Sequence, residues 1–462
     1  MATLSTVCCR RTTRPFAYSK ILSLHSTSSF VVQTRSYAVP KRANATKQGR
    51  QGFRGGGTQG RDGDQAPVKK EKKLMTFQPM PASQLSHPLF QSERVDELQK
   101  LNVFHPEIIT CGSESEALRF PHNEDDPFRR FGLPRKMLLE FRLLSRPCTV
   151  VRGITIDVVD KLDSASRASS SDTRLVLTGA PGCGKSFLLL QAVQYCASKD
   201  WLVLYIPRGV SLVNSTTAYV YDIRTQTYLQ PVFAYQTLQR FLTVNSAKLQ
   251  SLSTRQATEL ERRPPLPAGT PLIDLINVGL RDQIVAPTVL TALMNELGQQ
   301  TTHPVLLAVD DFQALFCKST YRDPHFSRIK SYHLSMPRLF LEYASGKRSF
   351  ARGAFMGALS STDTTFKLPL ELREALGLPH DQPSGPYIKR SEALTHYARG
   401  LKALAVPDML TVSEAASLFE IWMKDKALTS AAHDESFLAK YSEASGNARN
   451  FVWKGLLSTL AM

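Results

Sequence analysis

Gly179-Ala180-Pro181-Gly182-Cys183-Gly184-Lys185-Ser186 fits the pattern G-x-x-x-x-G-K-[ST] in full. Its flanks suit it. Arg174-Leu175-Val176-Leu177-Thr178 is a short apolar run that reads as a buried strand, and Phe187-Leu188-Leu189-Leu190-Gln191-Ala192-Val193 reads as a helix. A strand, a glycine-rich turn and a helix N-terminus together make a phosphate-binding loop, or P-loop. Glycines let backbone N–H groups approach phosphate oxygens, and the helix dipole favours the negative charge. The expected phosphate-site residues are Gly179, Pro181, Gly182, Cys183, Gly184, Lys185, Ser186 and Phe187. Lys185 would neutralise the β- and γ-phosphates, and the Ser186 hydroxyl would ligate Mg²⁺.

A second run completes the first. Pro304-Val305-Leu306-Leu307-Ala308-Val309-Asp310-Asp311 is an apolar strand ending in two carboxylates. It follows the P-loop at the distance of a Walker B strand, which puts Asp310 beside the metal, partly through water, with Asp311 next to it. Asp311 stands where working ATPases often carry a glutamate that activates water. Its shorter side chain argues against efficient turnover, so no catalytic residue is assigned.

Further strands are expected at Trp201–Ile206, Ala354–Leu359 and Leu401–Ala405. Their alternation with helical stretches predicts an α/β fold with a parallel sheet flanked by helices, and ligands at the carboxyl ends of the strands. Ser360-Ser361-Thr362 reads equally as a nucleotide-sensing position or a strand-end turn. Thr411-Val412-Ser413-Glu414 resembles a capping box opening a helix that offers Leu418, Ile421 and Trp422 to one face. A last helix is expected over 447–460. At its start lies Gly446-Asn447-Ala448-Arg449, where Arg449 either reaches a phosphate or is a surface arginine. Leu133-Pro134 and Val150-Val151-Arg152 precede the first core strand and are placed to frame a base.

The chain has 462 residues and a formal charge of +17. Eleven Lys or Arg fall within residues 1–61, where no Asp or Glu occurs. Residues 1–37 interleave Arg10, Arg11, Arg14, Lys20 and Arg35 with Phe16, Ile21, Leu22, Leu24 and Phe30, the composition of a mitochondrial transit peptide with a cut before Ala38. Residues 38–84 form a basic Gly/Arg/Gln-rich arm, either a solvated linker or a segment lying on RNA phosphates. Residues 85–170 read as an extension leading into the core, 171–406 as the P-loop core, and 407–462 as a helical C-terminal region. No run is apolar enough for a membrane span. Seven scattered cysteines without a CxxC pair suit free thiols rather than a zinc site or a disulfide framework.

The P-loop with its helix, the segment Cys196–Pro207, Tyr228-Leu229-Gln230-Pro231 and Val305–Asp311 together resemble the mitochondrial small-subunit ribosomal protein family of death-associated protein three. The resemblance runs over roughly residues 130–460. It implies an AAA-like P-loop domain, bound GTP or GDP with Mg²⁺, and a location in the mitochondrial matrix. It also implies small-subunit rRNA and ribosomal proteins as partners, with the large subunit across the subunit interface. Guanine preference rests on the resemblance alone, since no N-K-x-D signature is present. A mitochondrial AAA-type ATPase that remodels a partner is the alternative reading, and an apoptotic adaptor has only the family name behind it.

Overall fold

The computed structural model describes residues 97–123, 125–259, 264–379, 387–425 and 433–460. The expected transit peptide, the basic arm and residues 85–96 lie outside the described residues.

The first strands, β1 (Ala117–Arg119) and β2 (Cys148–Val150), pair antiparallel. Between them runs helix α1 (Arg135–Leu143), and α2 (Gly153–Ala165) follows. Then come β3 (Arg174–Thr178), α3 (Lys185–Ser198) and β4 (Leu202–Ile206). A small hairpin, β5 (Val220–Asp222) and β6 (Thr227–Leu229), leads into helices α4 (Pro231–Leu249), α5 (Leu272–Arg281) and α6 (Ala286–Gln299). Beyond them lie β7 (Val305–Val309), the hairpin β8 (Lys318–Arg322) and β9 (Arg328–Lys330), helix α7 (Ser335–Ala344), β10 (Gly353–Ala358) and β11 (Lys402–Ala405). Helices α8 (Val412–Lys424) and α9 (Asp434–Glu443) follow.

The central sheet has five strands in the order β11-β3-β10-β7-β4, every neighbouring pair parallel. Strands β4, β7 and β10 are buried along their whole length. Continuous apolar runs are what a parallel sheet covered on both faces requires. The expected strands all form, each within a residue of the run read from sequence. At one edge, buried Asn245 of α4 closes the exposed backbone of β4. Its Oδ1 accepts from Val203 N at 2.9 Å, and its Nδ2 donates to Val203 O at 3.0 Å. That pairing removes an open strand edge.

A second, smaller core joins segments from the two ends of the described chain. Leu98, Leu144 and Cys148 pack with Leu410, Phe419, Trp422 and Phe451. The amino-terminal extension and the carboxy-terminal helices thus share one hydrophobic unit beside the sheet. The capping box at Thr411 forms: its hydroxyl accepts from Glu414 N at 3.2 Å, and Glu414 Oε2 accepts from Thr411 N at 3.0 Å. Ile421 and Trp422 are buried and Leu418 packs against them.

The last helix departs from expectation. One α-turn at Ala448–Asn450 passes into a π-helix over Phe451–Leu456 and a 3₁₀ turn over Leu457–Leu460. The wider π turn brings Phe451, Val452 and Leu456 into the small core while Trp453 faces a neighbouring cavity. Such turns recur at functional sites. Among the described residues, no helix is long and apolar enough to cross a membrane.

Candidate functional site

The loop between β3 and α3 lies at the carboxyl end of the sheet, as a parallel α/β arrangement dictates. Gly179, Gly182 and Gly184 take positive φ values of 136°, 87° and 101°. Gly182 has no room for a side chain. A Cβ there would sit 2.6 Å from Asn447 Oδ1 and 2.9 Å from Arg449 Cβ.

The loop's carbonyls are all occupied by protein donors. Lys185 Nζ donates to Gly179 O at 2.8 Å and Ala180 O at 2.7 Å. Asn447 Nδ2 donates to Pro181 O at 3.0 Å, and Arg449 N to Gly182 O at 3.0 Å. Arg152 Nη1 donates to Cys183 O at 2.8 Å. Asp408 Oδ1 accepts from Ala180 N at 2.8 Å. With its carbonyls tied off, the loop keeps the orphan N–H donors of the α3 first turn for an anion. Burial lowers the Lys185 pKa, the Cys183 thiol opposes that shift, and Lys185 is 8% exposed. A phosphate would take over the Lys185 ammonium that now meets the Gly179 and Ala180 carbonyls.

Asp310 follows β7 directly and is 2% exposed. Its Oδ1 accepts from Ser186 Oγ at 3.0 Å and from Asp311 N at 2.9 Å. A hydroxyl beside a buried carboxylate is the donor set that Mg²⁺ takes in P-loop sites, so these residues fit the ion. The Asp311 backbone takes the left-handed region with φ 54°. Burial raises its pKa, while a hydrogen bond with Ser360 and the charge of Arg208 oppose the rise. Asp311, Ser360 and Arg208 therefore form one group at the phosphate end, which joins the residues after β10 to this site.

Burial, and next the Asp311 charge, push the Asp310 pKa up to about 7. An acid whose pKa rises on folding stabilises the fold only while protonated. The contribution is whole below the ordinary carboxylate range and is lost as pH rises through about 7. Asp310→Asn removes this dependence, so the nucleotide-free variant should lose less melting temperature than wild type between about pH 4 and about pH 7. Some slope should remain, because burial also raises Asp126 and Glu140 to about 7. The same variant should bind nucleotide with little response to Mg²⁺. Melting curves at several pH values check this, and an unaltered slope would contradict it.

The P-loop opens into a cavity of about 440 Å³. Gly182, Gly184, Lys185, Ser186, Phe187 and Arg449 line it, with Asp310 and Asp311 at one end. Gly179, Pro181 and Cys183 are not part of the lining. Their carbonyls instead fix the loop to Lys185, Asn447 and Arg152. The two segments placed to frame a base contribute unequally. Pro134, Val150 and Arg152 line the cavity, whereas Leu133 and Val151 do not.

Arg152 does more than line a wall. Its guanidinium bonds Cys183 O, Pro407 O at 3.3 Å, Met409 O at 3.2 Å, and Glu414 Oε2 at 3.2 Å. One buried side chain thus connects the amino-terminal extension, the P-loop and the first turn of α8. Gln191 of α3 positions it. Gln191 Nε2 donates to Thr149 Oγ1 at 2.6 Å and Val150 O at 2.9 Å, and its Oε1 accepts from Thr155 Oγ1 at 2.9 Å. The sequence gives no local sign of this hub, since its partners lie 31 to 262 residues away. Arg208, Glu140 and Asp408 were likewise silent in the sequence.

A five-stranded parallel sheet flanked by helices, with a glycine-rich loop after β3 and a buried acid after β7, is an α/β fold of the AAA-like class. Over residues 149–453 the chain matches the family described as mitochondrial ribosomal death-associated protein 3, and it belongs to that family. The resemblance carried by the P-loop, Cys196–Pro207 and Val305–Asp311 is borne out, and with it a mitochondrial ribosomal location.

Similar proteins carry one name. Small ribosomal subunit protein mS29 of Schizosaccharomyces pombe is 26% identical over 373 residues, covering 79% of this chain and 76% of that one. The Neurospora crassa protein of that name is 29% identical over 319 residues, 66% of each chain. The Mus musculus protein is 26% identical over 278 residues, 58% of this chain and 68% of that one.

Proposed function

We propose that this chain is a GTP- or GDP-binding structural component of the mitochondrial small ribosomal subunit that supports mitochondrial translation. Its Mg²⁺-nucleotide acts as a structural ligand. Family membership and the relatives' shared name support the ribosomal part. The observation that carries the nucleotide part is the clasp on the P-loop. Residues 447–449 and Arg152 hold the backbone that would hold the phosphates, so a nucleotide binding there also secures the carboxy-terminal helices.

Small-subunit rRNA and neighbouring ribosomal proteins are the proposed partners, with the large subunit across the interface. Arg449 fits the phosphate-side reading better than a surface arginine, since it lines the cavity and its charge is felt at Lys185. A remodelling motor needs a water-activating carboxylate. Asp311 is one methylene shorter than the usual glutamate and is engaged with Ser360, which supports a retained nucleotide.

The full-length native protein should co-sediment with mitochondrial small subunits through a high-salt gradient. The Lys185→Ala variant should be depleted from those fractions. A native protein that remains at the top of the gradient would remove the ribosomal reading for this chain. Normal co-sedimentation of Lys185→Ala would remove the structural role of the nucleotide.

A further inference from the structure

Past the phosphate end, the cavity continues into a chamber that the P-loop does not build. Helix α1 walls one side with Met137 and Phe141, and the carboxy-terminal helices wall the other with Leu418, Trp422, Val452 and Trp453. Apolar and aromatic walls of this kind suit a planar ring. Charged groups interrupt them, among them Lys136, whose Nζ stands 5.7 Å from the Trp453 ring centroid. Glu140 of α1 lines the chamber, and Trp453 Nε1 donates to its Oε1. That bond anchors one of the two carboxylate oxygens.

Glu140 and the phosphate lysine stand in one electrostatic neighbourhood. Arg449 bonds the P-loop through its backbone N–H, and its positive charge acts on both Glu140 and Lys185. Glu140, Arg449 and Lys185 all line the same cavity, and the Arg449 charge reaches both of the others. An ionised carboxylate offers about four lone-pair sites and no donor. Trp453 takes one of them, and Oε2 receives no hydrogen bond from the described residues. Burial pushes the Glu140 pKa up to about 7. Two N–H donors arriving together would offset that desolvation.

We propose that Glu140 is the specificity-determining residue for the base, accepting hydrogen bonds from N1–H and the 2-amino group of a guanine ring that lies in the chamber beside the Glu140–Trp453 pair. The inference rests on the reading that this cavity holds a guanine nucleotide, and it adds which residue reads the base and why. Guanine presents two adjacent donors along one edge. Adenine places a bare N1 lone pair there, which would face a carboxylate lone pair. A site built for donors rejects a ring that lacks them, because its own polar group is left unpaired.

The test uses the full-length protein with Mg²⁺ in titration calorimetry. Wild type should rank GDP above IDP, which lacks the 2-amino donor, and IDP above ADP, with GDP ahead of ADP by roughly tenfold or more. Xanthine carries a carbonyl in place of the 2-amino group, so XDP should bind wild type weakly. Glu140→Gln offers one acceptor and one donor. It should weaken GDP by about tenfold, strengthen XDP until the order reverses, and leave ADP nearly unchanged. Equal wild-type affinity for GDP, IDP and ADP would overturn the base assignment while leaving nucleotide binding intact. Equal loss of all three in a folded Glu140→Gln protein would show that Glu140 only orders the Trp453 wall. Wild type that binds none of them would bring down the nucleotide reading itself. If Glu140→Gln does not fold, Glu140→Asp serves in its place: it keeps the carboxylate one methylene back, so it should weaken GDP more than ADP, and equal weakening of both would overturn the assignment.

Discussion

Lys185→Ala should lower Mg²⁺-nucleotide affinity by at least about tenfold while the nucleotide-free protein melts close to wild type. Two opposing effects produce the second half of that result. The ammonium gives up its bonds to Gly179 O and Ala180 O when truncated. Those bonds are set against the burial that lowers its pKa, so deleting the group also relieves a desolvated charge. The nucleotide-bound protein has no such compensation. A charge-assisted contact to phosphate stabilises by roughly 1.5–3 kcal/mol, which sets the tenfold floor. Calorimetry of the purified variant measures the affinity, and a differential melt measures the fold. An unchanged affinity would mean that the P-loop does not hold the ligand.

The largest loss of stability should follow Arg152→Ala. This guanidinium reaches three backbone carbonyls and Glu414, and its side chain is 11% exposed against 5% for Glu414. Truncation leaves Glu414 buried with only its capping bond to Thr411 N. Breaking one partner of a buried ion pair costs about 3–5 kcal/mol, because the remaining charge stays desolvated. Much of that cost should vanish when the orphan is removed too. The double variant Arg152→Ala with Glu414→Ala should therefore be far less destabilised than the sum of its single variants. Denaturant unfolding of the four proteins gives the coupling. Additive losses would show that the pair does not act as a unit. Nucleotide affinity should also fall in Arg152→Ala, since Cys183 O loses its anchor. That effect would separate a hub beside the P-loop from an ordinary buried arginine.

The core of this fold was legible because its signals are local. Five residues from Arg174 to Thr178, then the glycine pattern, then Phe187–Val193 each state their own conformation. So do the unbroken apolar runs of β4 and β7. The β7 run ends in acids because Asp310 must reach back toward Ser186, and that junction is also local. The capping box at Thr411 and Glu414 reads from four residues. The sequence also yielded Arg449, through its company with Asn447, although its contact with Gly182 depends on packing.

What escaped the sequence depends on contacts between distant segments. Arg152 meets Cys183, Pro407 and Glu414 only after β2 and α8 share the small core. Glu140 reads as one more polar position on an amphipathic helix until Trp453 is laid against it. The π turn at Phe451–Leu456 has no local marker either. It arises where Phe451, Val452 and Leu456 must enter a core that also receives Phe419 and Trp422. The proposed reading of guanine by Glu140 belongs to this second class, for no short motif encodes the chamber that α1 and the last helix line.

Thermal unfolding of the full-length protein, with and without Mg²⁺-GTP, tests the structural role of the nucleotide most directly. A ligand that binds only the folded state stabilises it by about 2.7 kcal/mol at a hundredfold excess over Kd. Wild type should therefore melt at a clearly higher temperature with Mg²⁺-GTP, Lys185→Ala should gain much less, and the helices over 412–460 should show slowed amide exchange when nucleotide is bound. A melting temperature and an exchange pattern that ignore the nucleotide, in a protein shown by calorimetry to bind it, would contradict the account.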